Sequence, residues 1–302
     1  MDRIAFLIVL STLWITKVEG VYHEMSMSEF KPSKTPGNMS FGYSIAFLKK
    51  TKELIVGAPK GSGIGKVFKC QVESKLCAEM THSIKNGSND LWLGATVATG
   101  DDFSVACAPR FTEFKTKFGT FGRCFMKGIS DLVETEMKTL NQSDKEPNLS
   151  PYEKYMDSYG WSLNVDSKNS IIVGGPAMYT GRVMLYTDNK AYPKLIRGNN
   201  AKWKIEYTFG YGVTSGLFTS VNRTTYAISA PYGQKGLGKV ILTDLFKGWV
   251  LDPPKDFTPP VGSLFGASMC SAKLRGDKQR EALLIGAPTY AEKGQMNHGI
   301  VY

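Results

Sequence analysis

Five times along this chain of 302 residues, an aromatic residue or Leu followed by Gly leads into an apolar run that closes on Ala or Gly and then Pro. The copies open at Phe41-Gly42, Leu93-Gly94, Tyr159-Gly160, Phe209-Gly210 and Phe265-Gly266. They close at Ala58-Pro59, Ala108-Pro109, Gly175-Pro176, Ala230-Pro231 and Ala287-Pro288. Successive opening glycines lie 52, 66, 50 and 56 residues apart. That period is too long for the common helical solenoids and suits a blade of four short strands.

Within a copy the residues read as strand. Small and branched side chains alternate along Ser44-Ile45-Ala46-Phe47-Leu48 and again along Glu53-Leu54-Ile55-Val56. After the Pro comes a Gly-rich turn and another strand, as in Gly65-Lys66-Val67-Phe68, Gly181-Arg182-Val183-Met184 and Gly238-Lys239-Val240-Ile241. Pro removes a ladder donor and Gly allows positive φ, so each pair marks a strand end and a tight reversal. The five runs ending in Pro are expected as neighbouring inner strands. Ile55, Val105, Ile172, Ile228 and Leu284 should then be equally buried between blades.

Composition agrees with a turn-rich all-β domain: 42% of residues are hydrophobic, with 31 Gly and 14 Pro. The formal charge of +10 is spread over scattered Lys and Arg, densest at the Lys49-Lys50-Thr51-Lys52 turn. No aromatic-interleaved basic stripe accompanies it, so it reads as a solvated surface and not as a nucleic-acid groove. His23, His82 and His298 fall in unrelated segments, and no nucleophile elbow, zinc-protease motif or phosphate-cradling loop is present.

Phe41-Gly42-Tyr43-Ser44-Ile45-Ala46 leading to Ile55-Val56-Gly57-Ala58-Pro59, and Phe265-Gly266 leading to Leu284-Ile285-Gly286-Ala287-Pro288, resemble the FG-GAP repeats of integrin α subunits. Five copies in series, in phase with strands and turns, make the resemblance specific; it covers about Phe41 to Tyr302. It implies an all-β fold, a β-propeller built from FG-GAP repeats near 41–90, 91–150, 155–205, 206–262 and 263–302, five of an expected seven blades. It implies a cell-adhesion receptor subunit without enzymatic activity. Such a subunit pairs with an integrin β subunit and binds extracellular matrix or cell-surface ligands, with no nucleic-acid partner. Two other readings stand beside it: a short secreted propeller that competes for integrin partners or ligands, and a secreted propeller hydrolase with ionisable residues converging on a central channel.

The family closes its ring with two more blades and pairs its N-terminal strand into the last of them. Here the fifth copy ends at His298-Gly299-Ile300-Val301-Tyr302, and Val21 to Phe30 is expected to lack such a partner. The expectation is a partial or alternatively ended α chain, or a short secreted relative. Its place is the extracellular side of the cell surface, with the membrane anchor outside this sequence, or the secreted phase if the chain is complete.

Residues 1–20 read as a signal peptide, with Arg3 ahead of an apolar run from Ile4 to Ile15 and Gly20 before Val21. Cysteine usage fits export. Cys70 and Cys77 bracket a short loop and Cys107 and Cys124 flank a turn of the second blade, so two local bridges form without threading the chain. Small disulfides occupy these blade positions in integrins. Cys270 is left over and reads as a buried apolar side chain. Sequons at Asn38, Asn86, Asn141, Asn148 and Asn222 are expected at exposed turns, several of them glycosylated, with Pro151 disfavouring Asn148.

Integrin repeats toward the C-terminal end of the propeller place an acidic calcium loop between the first two strands. Here the fifth copy reads Lys273-Leu274-Arg275-Gly276-Asp277-Lys278-Gln279-Arg280-Glu281, and the fourth, from Ser215 to Asn222, has no carboxylate. Asp277 and Glu281 alone cannot replace the hydration of Ca²⁺, so no cofactor is expected in the repeats present. The Arg275-Gly276-Asp277 triplet reads as charge pairing within that loop, with Asp277 or Glu281 meeting Lys273 or Arg275. Met126 to Asp157 reads as a long exposed loop, too short for an inserted ligand-binding domain. By the resemblance, Glu206 and Tyr207, just before the fourth opening, are the ligand-facing candidates; Trp161 and Trp203 read as packing residues.

Overall fold

The computed structural model describes residues 29–32, 38–61, 63–82, 84, 89–112, 121–129, 134–137, 158–176, 181–187, 193–198, 207–252, 262–273, 279–291 and 298–302. They form five sheets. The first holds β1 (Lys31–Pro32), β2 (Ser44–Leu48), β3 (Glu53–Ala58), β4 (Lys66–Gln71) and β5 (Leu76–Met80). The second holds β6 (Thr96–Thr99), β7 (Phe103–Ala108), β8 (Arg123–Gly128) and β9 (Glu134–Glu136). The third holds β10 (Ser162–Val165), β11 (Ile171–Gly175), β12 (Arg182–Tyr186) and β13 (Lys194–Arg197). The fourth holds β14 (Val213–Gly216), β15 (Thr225–Ala230), β16 (Lys239–Thr243) and β17 (Gly248–Leu251); the fifth holds β18 (Ser268–Lys273), β19 (Glu281–Ala287) and β20 (Ile300–Val301). Apart from β1, strands within a sheet follow chain order as antiparallel neighbours, the meander of a propeller blade.

The first strands of successive sheets, β2, β6, β10, β14 and β18, touch one another in sequence, so the sheets stand radially with these strands at the axis. This corrects the expectation for the runs ending in Pro, which are the second strands β3, β7, β11, β15 and β19. The axis is crowded, and small residues such as Ser44, Ala46, Thr96 and Ala98 follow the opening Gly there. Just after the Val21 to Phe30 segment, of which residues 21–28 lie outside the described residues, β1 pairs in parallel with β5 at the outer edge of the first sheet.

Blades interlock through the opening dipeptide. Gly42, Gly94, Gly160, Gly210 and Gly266 all have φ between 85° and 91°. The residue ahead of each of the last four, Leu93, Tyr159, Phe209 and Phe265, is buried. It sits against a Gly that precedes the third strand of the blade before. A Cβ on Gly181 would lie 1.9 Å from the Phe209 carbonyl oxygen, and one on Gly238 would lie 2.2 Å from that of Phe265. Hydroxyls complete the latch: Ser44 donates to the Gly94 carbonyl at 2.8 Å, Thr96 to Gly160 at 2.7 Å and Ser162 to Gly210 at 2.8 Å.

The core lies between blades. Three residues before the closing Ala or Gly, Ile55, Val105, Ile172 and Ala227 face the following blade; one residue later, Ala106, Val173, Ile228 and Ile285 face the preceding one. Ile55, Val105, Ile172 and Ile228 are buried as expected, but Ile228 belongs to the second set, a register difference of one. Leu284 is 38% exposed, against expectation. It faces forward from the fifth sheet, where no further sheet packs among the described residues.

Both local disulfides are present, each joining directly opposed residues of adjacent strands with Cα atoms 4.0 Å apart. Cys270 is exposed, not buried, because strand alternation puts it opposite Leu284 on that same forward face. The stretch from Met126 is not all loop. Met126 to Gly128 finish β8, and β9 follows, with Met137 buried. A fourth strand of three residues is too short to show a period in the sequence. Its Glu134 pairs with His82, which follows β5, both side chains buried, bridging the outer edges of the first two blades.

Candidate functional site

Each inner strand begins at an opening Gly, and the residue after that Gly lies at one mouth of the axis. In three blades it is aromatic: Tyr43, Trp161 and Tyr211. Trp161 leans on Tyr211 with ring centroids 5.8 Å apart, and Tyr211 meets Tyr232 edge-on at 6.2 Å. Tyr43 meets Trp92 at 6.2 Å, and the Arg110 guanidinium stands 5.1 Å from the centre of the Trp92 ring. Burial pushes the Tyr211 hydroxyl pKa up, and the Tyr232 and Tyr43 hydroxyls add to the shift. Tyr43, Trp161 and Tyr232 are nonetheless exposed. Ring faces open to solvent can take up a cationic or apolar group.

The opposite mouth is polar. There the turns after the inner strands line a cavity of about 490 Å³ that includes Lys49, Asp101, Asp166, Asn169, Arg280 and Glu281. Its acids are tied into the scaffold. Asp166 Oδ1 accepts the Lys168 and Ser170 N–H groups, both at 2.8 Å, and Oδ2 accepts the Tyr226 hydroxyl at 3.0 Å. Asn169 donates to Asp101 at 3.0 Å and accepts the Asp101 N–H at 2.9 Å, joining the second and third blades. Glu281 Oε2 accepts the Leu217 N–H at 2.9 Å, joining the fifth blade to the fourth. Of the loop partners expected for Glu281, Arg275 lies outside the described residues.

We propose that the 273–281 loop holds no calcium. One Glu281 oxygen is engaged, Lys273 and Arg280 flank it, and a Ca²⁺ ion needs six to eight oxygens. Calorimetric titration of the purified chain with Ca²⁺ is expected to show no micromolar binding through the 273–281 loop, and Asp277→Ala should change nothing. Micromolar binding lost in Asp277→Ala would overturn this.

Of the sites expected from sequence, Tyr207 is exposed next to the rim, and Asn38 and Asn222 are exposed. Glu206, Trp203, Asp277, Arg275, Gly276, Asn86, Asn141, Asn148 and the signal segment lie outside the described residues. Trp161, expected as packing, is half exposed on the rim. The rim itself was missed, although a readable signal existed in the aromatic that follows three of the five opening glycines. Trp92 and Tyr232 come from outside that phase.

Among curated proteins the chain is similar to integrin alpha-PS5 of Drosophila melanogaster, 28% identical over 294 residues, covering 87% of this chain and 28% of that protein. Integrin alpha-3 of Mus musculus is 24% identical over 306 residues, covering 90% and 29%, and integrin alpha-V of Gallus gallus 23% over 296 residues, covering 84% and 28%. The chain thus spans less than a third of the length of these relatives. Among solved structures, hydrazine synthase of Kuenenia stuttgartiensis superposes with a TM-score of 0.50 at 9% identity, covering 81% of this chain and 61% of that one, a likeness of fold alone. No family model matches the chain. Radial four-stranded blades opened by the same dipeptide define an FG-GAP β-propeller. Its sequence makes it an integrin α-like region.

Proposed function

We propose that this chain is the propeller head of an integrin α-type adhesion receptor subunit. It pairs with a β subunit through the aromatic rim and binds extracellular matrix or cell-surface ligand at the same mouth, with Glu206 and Tyr207 at its edge. The observation that carries this reading is the set of exposed rings Tyr43, Trp161 and Tyr232 at one end of the axis, with the half-buried Tyr211 in ring contact with Trp161 and Tyr232. A partner Lys or Arg inserted among them gains about 0.5–2 kcal/mol per ring contact. The tied carboxylates of the opposite mouth serve the scaffold, which supports a binding protein over a hydrolase. Two disulfides suit an oxidising, extracellular setting, and the exposed Asn38 and Asn222 are proposed glycan sites.

Co-expression with an integrin β ectodomain and affinity capture tests the pairing. The double variant Tyr43→Ala/Tyr211→Ala is expected to weaken capture by roughly tenfold or more, whereas Tyr→Phe at both positions should keep most of it because the ring faces remain. Capture unchanged in the alanine variant would overturn the assignment of the rim.

A further inference from the structure

Two turns of the fourth blade meet on the side of the polar mouth. One joins β14 to β15 and carries the sequon Asn222-Arg223-Thr224; the other, Asp244 to Lys247, joins β16 to β17. Arg223 spans them, donating to Asp244 Oδ2 at 2.9 Å with its guanidinium 5.4 Å from the centre of the Phe246 ring. The second turn is tightly fixed. Asp244 Oδ1 accepts the Phe246 and Lys247 N–H groups at 3.0 and 2.7 Å, and Thr243 Oγ1 accepts the Leu245 N–H at 3.0 Å while donating to the Lys247 carbonyl at 2.9 Å. Leu245 sits at φ 75°, a costly conformation for a bulky side chain. Together these bonds present one ring: Phe246 is 84% exposed, more than any other large apolar side chain among the described residues. A single exposed ring on a loose loop is ordinary, whereas one held in place by its whole turn is preorganised for a contact.

The sequon bears an independent mark. Thr224 Oγ1 is buried and has no hydrogen-bond partner among the described residues. Val would fill the same space without stranding a hydroxyl, so the stability of the fold does not account for Thr there. Glycosylation does, because the acceptor sequence requires a hydroxyl residue two positions after Asn. Asn222 itself is exposed, and its side-chain amide makes no hydrogen bond to a described residue.

From this we infer that a glycan on Asn222 lays its first sugars on the open face of Phe246 and so ties the two turns together. This rests on the proposed glycosylation of Asn222. The bond forms when Asn222 Nδ2 displaces a lipid diphosphate from C1 of its sugar. The C1–O bond breaks, a C1–N bond forms, the amide gives one proton to a base of the transferring enzyme, and the diphosphate leaves with the electron pair. Arg223 stands over one face of the Phe246 ring, and Asn222 adjoins Arg223 in the chain, so the sugar stem starts beside the ring. The C–H face of a pyranose matches an aromatic face, while its hydroxyls stay in water. The attachment point is on the side of the polar mouth, so the glycan leaves the aromatic rim free for a protein partner.

Secretion of the whole chain from cultured animal cells, followed by glycopeptide mass spectrometry and thermal unfolding, tests it. Asn222 is expected to carry a glycan, and Thr224→Val to remove that glycan with circular dichroism unchanged. With the glycan in place, Phe246→Ala should lower the unfolding midpoint by about 2–4 °C. In an Asn222→Gln background the same substitution should change nothing, and Phe246→Tyr, which keeps the ring face, should hold the midpoint in both. An unmodified Asn222 in the secreted chain would overturn the modification and the contact together. A glycosylated Asn222 with the same Phe246→Ala shift in both backgrounds would overturn the contact alone.

Discussion

Phe209→Ala is expected to cost roughly 3–5 kcal/mol of stability, the range for deleting a fully buried aromatic ring. Phe209 is fully buried, and its ring packs among Ile172, Val183, Leu185, Tyr226, Ile228 and Ile241, residues of the third and fourth blades. It therefore fills the junction rather than one sheet, and neither sheet can collapse onto the space without breaking register with its neighbour. Against a whole-domain stability of about 5–15 kcal/mol, such a loss should move the denaturant midpoint far outside experimental scatter. A cost below about 1 kcal/mol would mean that the junction repacks freely, contrary to a latch.

The second large effect is expected at Gly181→Ala, at about 3 kcal/mol or more. Two causes add. The position has φ 45°, where a Cβ costs about 1–2 kcal/mol. The new methyl would also fall 1.9 Å from the Phe209 carbonyl oxygen, which is backbone and cannot rotate away. Gly63→Ala separates the causes, because Gly63 has φ +77 with nothing within 4 Å of a built Cβ, so only the conformational part applies. Combining Gly181→Ala with Phe209→Ala should give no relief, since the carbonyl remains after the ring is gone. Equal unfolding midpoints for Gly181→Ala and Gly63→Ala would refute the close approach.

The blade architecture was legible in the sequence because the dipeptide that opens each repeat is itself the interlocking part. An aromatic or Leu and a Gly must stand together for one blade to grip the last. Which strand lies innermost was not legible, because β2 and β3 are both short and apolar, and only the crowding at the axis separates them. The one-residue offset of Ile228 has a related origin. Alternate residues of a second strand face opposite neighbours and both sets are buried, so hydrophobicity alone does not say which way each points. The exposure of Leu284 and Cys270 was hidden for another reason: residue type records what a position is made to contact, not whether the described residues include that contact. The rim was missed because its rings come partly from the repeat, as Tyr43 and Tyr211 do, and partly from connecting segments, as Trp92 does.

The two disulfides lie within the first and second blades, each joining adjacent strands of a single sheet. Because domains emerge from the ribosome N-terminus first, both covalent closures can be completed before the third, fourth and fifth blades have been synthesised. A pair of blades closed in that order would offer the forward face of the second to the third as it is made. Assembly gains a direction from the placement of two sulfur bridges.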